Sequence, residues 1–374
     1  MKVRGAVLRA MGLEPPYAAS RPLSIEDVEL EGPGPGEVLV RIHAAGLCHS
    51  DLSVIEGNRP RPMPMLLGHE AAGEVCEWGP GVSDLTKGER VVLVFMPSCG
   101  HCAPCAEGRP ALCEPGAKAN GEGTLLGGAQ RLRIGASPLN HHLGCSAFAE
   151  FAVVSRRSLI KVDGDLPFED AALFGCAVLT GFGAVVNTAG VRAGQSVAIV
   201  GLGGVGLAAL LAARCAGADR IVAIDPLESK RALAQRLGAT ACFDAAAPDC
   251  AAQVREATGG GVDHAIETAG VVKALELAYA VTRRGGTTTT AGLPAPGQMF
   301  AIAPVGLVAE ERTLKGSYIG TSVPQRDIGR CISLFRQGRL PVDQLRSGVL
   351  PIDQINEGFD RLRSGDAVRL IVRP

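Results

Sequence analysis

The chain has 374 residues, too many for a single ordinary core and suited to two domains. Its 47% hydrophobic and 20% charged residues exclude a disordered chain, and 37 basic against 38 acidic residues give no charge reason to expect a nucleic acid or a membrane as partner. Met1 to Ala10 is interrupted by Arg4 and Arg9, too short for a secretory leader. The longest uncharged apolar run, Val197 to Ala213, falls short of a membrane span and holds four glycines, so a soluble, cytoplasmic protein is expected.

In chain order, residues 1 to about 95 read as mostly β. Val38 to His43, Gly73 to Glu77 and Arg90 to Val94 have strand character, with turns at Pro33 to Gly36, Pro60 to Pro64 and Gly79 to Gly81. Residues 116 to 142 lack periodicity and read as a long functional loop. Phe168 to Val186 is helix-compatible. From Ser196 strands and helices alternate: Ser196 to Val200, Gly204 to Ala216, Arg220 to Ile224, Leu227 to Leu237, then strands Val262 to Glu267 and Gly286 to Ala291. That rhythm predicts a parallel, doubly wound α/β sheet. A helix over Asp327 to Gln337 and a terminal strand, Val368 to Val372, close the chain.

Gly201-Leu202-Gly203-Gly204-Val205-Gly206 supplies a G-x-G-x-x-G turn between a strand and a helix, and the next strand ends in Asp225, 19 residues after Gly206. In such a turn Gly201 permits the tight bend, Gly203 lets the backbone approach a pyrophosphate and Gly206 lets helix and sheet pack closely. The helix N-terminus presents free N–H groups to phosphate. A carboxylate at Asp225 accepts ribose hydroxyls and repels a 2′-phosphate, so NAD is expected over NADP.

The twelve cysteines cluster: Cys99, Cys102, Cys105 and Cys113 lie in one short loop. Four soft ligands close a tetrahedral shell with no open position, as in a structural zinc site; disulfides or an iron–sulfur cluster are the rival readings. Cys48, His69 and Cys176 are dispersed, and spacing alone does not join them into one site.

The whole chain resembles the medium-chain zinc-dependent alcohol dehydrogenases. The resemblance rests on GLCHSD (46–51), GHEAAGEV (68–75), CGHCAPCAEGRPALC (99–113), the Gly175-Cys176 pair, GLGGVGL (201–207) and INEGFDRLRSG (355–365). It implies a β-rich, chaperonin-ten-like catalytic domain over 1–177 and 325–374 and a Rossmann cofactor domain over 178–324. It also implies a catalytic zinc on Cys48, His69 and Cys176, with a structural zinc on Cys99, Cys102, Cys105 and Cys113. Asp51 then orients His69, Glu70 lies behind the metal and Ser50 takes the substrate's proton. His49 and Arg369 match pyrophosphate ligands, Asp225 and Lys230 ribose ligands, and Thr180 and Val205 contacts on the nicotinamide side.

Two positions depart from the common family pattern: Ser53 stands where a relay histidine often follows, and His49 where an arginine is frequent. Phe95 matches an aromatic wall of the inner pocket, which implies primary alcohols and their aldehydes as substrates. The alternative is oxidation of a thiol–formaldehyde adduct, for which Arg131 and Arg133 would supply positive charge; a non-catalytic NAD- and zinc-binding protein is a further reading. The length of the 116–142 segment resembles the family's dimeric branch, so a homodimer is expected.

Overall fold

The computed structural model describes residues 1–374 and divides into two compact units. The first comprises Met1–Cys176, Val323–Gly329 and Arg346–Pro374, and the second Ala177–Ser322 and Arg330–Leu345.

The first unit is built from β-strands, as the alternation in its sequence requires. Five short strands close a barrel in the order Lys2–Leu8, Leu23–Leu30, Leu132–Ile134, Ser137–His141 and Met65–Leu66. Its filling is aliphatic: Val3, Val7, Val28, Leu30, Leu66, Leu125, Leu132 and Leu139 share one buried cluster. A second sheet is centred on Glu37–Gly46, which pairs with Ala71–Trp78, Phe151–Ser155 and the terminal strand Arg369–Arg373. Chain ends more than 300 residues apart in sequence thus meet beside Gly46, where Ile371 lies opposite it.

Residues 116–142 are not the long loop expected. They contain most of a helix, Glu114–Glu122, and two barrel strands, Leu132–Ile134 and Ser137–His141. The strands are only three and five residues long, so their period-2 pattern is too short to stand out between glycines. What makes them strands is pairing with Leu23–Leu30 and Met65–Leu66, a tertiary contact.

Phe168–Ala189 is one 22-residue helix, long and apolar enough by composition to cross a membrane, yet mostly buried inside the fold, as a core helix is. It widens into π-turns at Phe174–Val178 and Ala184–Ala189.

The second unit is an all-parallel six-stranded sheet. Its order is Ala241–Phe243, Arg220–Ile224, Ser196–Val200, Val262–Glu267, Thr282–Thr290 and Thr313–Gly316. Counted from Ser196–Val200 this is 3-2-1-4-5-6, the doubly wound Rossmann order. Ser196–Val200 and its neighbours are buried because helices cover both faces, which explains their unbroken apolar runs. The sequence reading placed three of the strands to the residue and missed the two outermost, which are short or exposed.

His141, at the end of its barrel strand, is fully buried, and its Nε2 accepts the backbone N–H of Arg131 at 3.0 Å. Burial, reinforced by the Arg131 charge, pushes its pKa down to about 3. The unfolded chain therefore binds this proton near pH 6.5 and the folded one does not. Stability present above about pH 6.5 should be lost as pH falls toward 3, with a slope of at most about 1.4 kcal/mol per pH unit from this group. His141→Gln keeps an acceptor for Arg131 and should remove that part of the slope, as measured by urea unfolding at several pH values.

Candidate active site

Three segments of the first unit bring the dispersed residues together. Cys48 caps a helix, His49–Ile55, whose first turn carries Ser50 and Asp51. His69 and Glu70 sit between Met65–Leu66 and Ala71–Trp78. Cys176 lies inside the π-turn Phe174–Val178, and π-turns concentrate at functional positions because the extra residue re-aims a side chain. Gly175 lets this turn approach the strand Arg90–Leu93: a Cβ there would lie 2.1 Å from the Leu93 carbonyl oxygen.

The ligand atoms of Cys48, His69 and Cys176 all lie within 4.8 Å of one another, and all three residues are buried. Cys176 Sγ is 3.5 Å from His69 Nε2. A tetrahedral zinc with its usual bond lengths separates sulfur from nitrogen by about 3.6 Å, so the residues present fit the metal. Cys48 and Cys176 are pushed in opposite directions: the hydrogen bond from Cys176, with Arg369 and His69, draws Cys48 well down, and Cys176 is driven up in return. A soft dication resolves that conflict, since both sulfurs then bind as thiolates.

Asp51 is fully buried and faces His69, with Oδ1 3.1 Å from Nδ1. The same oxygen accepts the Gly68 N–H at 3.2 Å and lies 3.2 Å from His142 Nδ1. Burial pushes the Asp51 carboxyl up, but His69 and His142 outweigh it and hold it below its ordinary range. With Nδ1 committed to Asp51, His69 turns Nε2 toward the cysteines. Glu70 is also buried, 3.6 Å from Arg369 Nε, and burial pushes its pKa up to about 7 despite the opposing Arg369 charge. Arg369 is buried as well and donates to the Leu47 carbonyl at 3.2 Å. The Phe95 ring stands edge-on to His69, centroids 5.3 Å apart. Ser53 donates its hydroxyl to the His49 carbonyl at 2.8 Å, one helical turn back, and His49 is exposed.

The second cluster, Cys99, Cys102, Cys105 and Cys113, also has its sulfurs within 4.8 Å of one another, and all twelve cysteines of the chain are free thiols. Backbone N–H groups point at the sulfurs: Cys102 N donates to Cys99 Sγ at 3.3 Å, and Cys99 N and Gly116 N to Cys113 Sγ at 3.1 and 3.4 Å. Against burial, the N–H groups of His101 and Cys102 bring Cys99 down to about 6, while burial lifts Cys105 to about 12. Such a donor shell stabilises thiolates before any ion arrives. The loop leads into the helix Glu114–Glu122, where Asn120 donates to the Phe95 carbonyl at 2.9 Å.

In the second unit the glycine-rich turn is as its spacing requires. Gly201 has φ +94°, and a Cβ at Gly206 would meet the Gly201 carbonyl oxygen at 1.8 Å, so neither tolerates a side chain. Nothing lies within 4 Å of where a Cβ of Gly203 would point, leaving open the approach that a pyrophosphate needs. Gly203 caps the helix Gly204–Cys215 without a side chain, and Val205 lies in its first turn. Asp225 accepts the Leu202 and Leu227 N–H groups, one on each oxygen, at 2.8 and 2.9 Å. Each oxygen keeps capacity for a hydroxyl. Lys230 is half-buried on the helix Glu228–Leu237, and Thr180 is buried on Leu179–Gly183.

His142 and Asn120 escaped the sequence reading. The one available signal was the adjacent pair His141-His142, but nothing in the sequence places either beside Asp51. Arg131 does not offer free charge, since its Nε is 2.8 Å from Glu37, whereas Arg133 donates to the neutral Ala136 carbonyl at 3.0 Å and keeps its charge.

Residues 34–164 match the family described as alcohol dehydrogenase GroES-like domain, and residues 204–336 that described as zinc-binding dehydrogenase. The chain is 39% identical to geraniol dehydrogenase of Castellaniella defragrans, covering 100% of this chain and 98% of the relative. It is 38% identical to the NDMA-dependent alcohol dehydrogenase of Amycolatopsis methanolica, covering 100% and 99%. Among solved structures it is similar to benzyl alcohol dehydrogenase from Acinetobacter calcoaceticus, with TM-score 0.93 and 32% identity over 100% of this chain and 99% of that one.

Gly175→Ala should lower the unfolding free energy by about 1–3 kcal/mol in urea titrations, since the new methyl must push against backbone rather than a flexible side chain. The same shift should part Cys176 from His69, and where these residues hold a metal, elemental analysis should find one equivalent fewer per chain than in the parent.

Proposed function

The chain belongs to the medium-chain zinc-dependent alcohol dehydrogenases, and we propose that it carries two zinc ions and moves a hydride between NAD and an alcohol–aldehyde pair, with primary alcohols preferred. The observation that carries this is the buried Cys48–His69–Cys176 set, with Asp51 holding His69 in its ligating tautomer. Three protein ligands leave a fourth position open, the arrangement of a catalytic site, whereas the four-cysteine set is closed.

Zinc at the three-ligand site supplies the Lewis acidity that lowers an alcohol's pKa, and NAD supplies the hydride acceptor. The chain's own residues do the rest. Ser50 accepts the alcohol's proton through its hydroxyl. Ser53, tied to the His49 carbonyl, serves the helix and not a relay, so the proton leaves to solvent. Glu70, buried behind the ligands beside Arg369, adjusts the charge around them. His49, Arg369, Gly201, Gly203, Val205 and Gly206 serve the pyrophosphate and its helix, Asp225 and Lys230 the ribose, and Thr180 the nicotinamide side.

Phe95, edge-on to His69, restricts branching at the carbinol carbon and packs well on flat or unsaturated chains. Geraniol and benzyl alcohol, named for two of the similar proteins, are primary alcohols of that kind. A charged thiol adduct fits less well, since Arg131 is already engaged by Glu37.

Elemental analysis should give two zinc ions per chain. Cys48→Ala should abolish turnover and leave the fold, while Cys102→Ala should lower stability first, because a closed structural site contributes folding energy. One zinc, or stoichiometric iron, breaks one assignment.

The decisive test of the reaction is an initial-rate screen of aliphatic, allylic, aromatic, secondary and thiol-adduct alcohols with NAD and NADP. NAD should be favoured about tenfold or more, equivalent to about 1.4 kcal/mol, with Asp225→Gly narrowing the gap. Primary allylic and aromatic alcohols should lead. Equal use of both cofactors sinks the ribose assignment, and faster turnover of bulky secondary alcohols sinks the pocket reading.

The sheet edge Thr313–Gly316 pairs on one side only, and Met299, Val305 and Val308, shortly before it in the chain, are 87%, 73% and 75% exposed. An open edge with apolar neighbours suits a second copy of the chain, giving a homodimer. Val305→Asp with Val308→Asp should halve the mass seen by light scattering; an unchanged mass rejects this surface.

A further inference from the structure

His142 belongs to no motif, yet it is buried against the catalytic ligand set. It sits on a turn, residues 142–146, in which three of the four residues after it have left-handed backbone: Leu143 at φ +53°, Gly144 at +65° and Ser146 at +50°. A buried leucine in that region is a costly outlier, and such strain persists only where surrounding structure over-determines it, most often beside a functional site. The turn closes on His142 itself. Its carbonyl accepts the Cys145 and Ser146 N–H groups at 3.0 and 3.2 Å, and its own N–H donates to Ser146 Oγ at 2.9 Å.

The turn is then tied to the segment that presents His69. Ala147 N donates to the Gly68 carbonyl and Phe148 N to the Leu67 carbonyl, both at 3.0 Å. Gly68 in turn donates its N–H to Asp51 Oδ1. These ties bring two imidazoles to one carboxylate oxygen: His69 Nδ1 at 3.1 Å and His142 Nδ1 at 3.2 Å, with the rings 5.5 Å apart and nearly perpendicular. At 3.2 Å the His142 contact is a close approach that falls short of a formed hydrogen bond, and its Nδ1 has no other partner.

We propose that His142 is a positioning residue for the catalytic metal: the strained turn aims its Nδ1–H at Asp51, and Asp51, held from two sides, fixes His69. This rests on the reading that Cys48, His69 and Cys176 bind metal. An Nδ1–H beside Asp51 fixes where the carboxylate lies and takes a share of its charge. The orientation of His69 and the electron density it passes to a metal at Nε2 both depend on that. The residue touches neither substrate nor reacting atoms; it acts through Asp51.

The test compares the zinc-loaded parent with His142→Phe, which keeps a ring of similar size without the donor, and His142→Asn, which keeps a donor near Nδ1 with less volume. Zinc transfer to a chromophoric chelator and the visible spectrum of the cobalt-substituted protein are the readouts. Zinc release from the three-ligand site should be about 10-fold to 100-fold faster in His142→Phe, with a shifted cobalt band. The four-cysteine phase should be unchanged, and His142→Asn should be close to the parent. Parent-like release in His142→Phe overturns the proposal, as does fast release in His142→Asn, which would mean that the ring only fills space. More than two metals per chain in the parent also overturns it, because Asp51, His69 and His142 would then themselves be a ligand set. Should His142→Phe not fold, ¹⁵N NMR of the parent's histidines decides: a proton on Nδ1 of His142 supports the proposal, and a proton on Nε2 alone refutes it. A parent with no metal at the three-ligand site defeats the function reading instead, a result distinct from all of these.

Discussion

A hydrogen bond with no solvent on either side, from His69 Nδ1 to Asp51 Oδ1, is the constraint on which the first unit turns. A buried carboxylate without partners is intolerable in a low-dielectric interior, so the surroundings must supply donors. They come from Gly68 and His69, and His142 Nδ1 lies 3.2 Å from the same oxygen on a segment that the backbone ties to theirs. The same requirement governs Glu70 and Arg369, buried as a pair, with Arg369 satisfied in part by the Leu47 carbonyl. A hydrophobic core of this kind exists around polar groups rather than in spite of them.

The cysteines divide by the same physics. Around Cys99 and Cys113, backbone N–H groups of a tight loop do the stabilising, and the loop is half-exposed. Around Cys48 and Cys176 the sulfurs are buried with few donors, and each pushes the other's titration in the opposite direction. One cluster is preorganised by its own loop and so is local in sequence. The other is assembled by a barrel, a helix cap and a π-turn, so Cys176 lies more than 100 residues from both Cys48 and His69. The helix after the four-cysteine loop reaches the Phe95 carbonyl through Asn120, so the closed cluster bears on the wall of the open one.

In the second unit the controlling quantity is distance of approach. Gly201 and Gly206 exist because backbone meets backbone there, and Asp225 is fixed by two N–H groups before any ligand comes. The parallel sheet needs apolar strands, because both its faces are covered.

Those local demands are what the sequence by itself determined. The strands Ser196–Val200, Arg220–Ile224 and Val262–Glu267, the glycine turn and the four-cysteine loop were legible because each depends on neighbours along the chain. The open site was legible only through the order of its motifs, since spacing alone joins Cys48, His69 and Cys176 to nothing. Tertiary structure decided the rest. It made strands of Leu132–Ile134 and Ser137–His141 by pairing them with distant partners, turned Arg131 to Glu37, tied Ser53 to its own helix, and delivered His142 to Asp51. The reason is physical: a short strand or a buried histidine has no periodicity of its own, and its role is set by which distant backbone groups the fold leaves unsatisfied beside it.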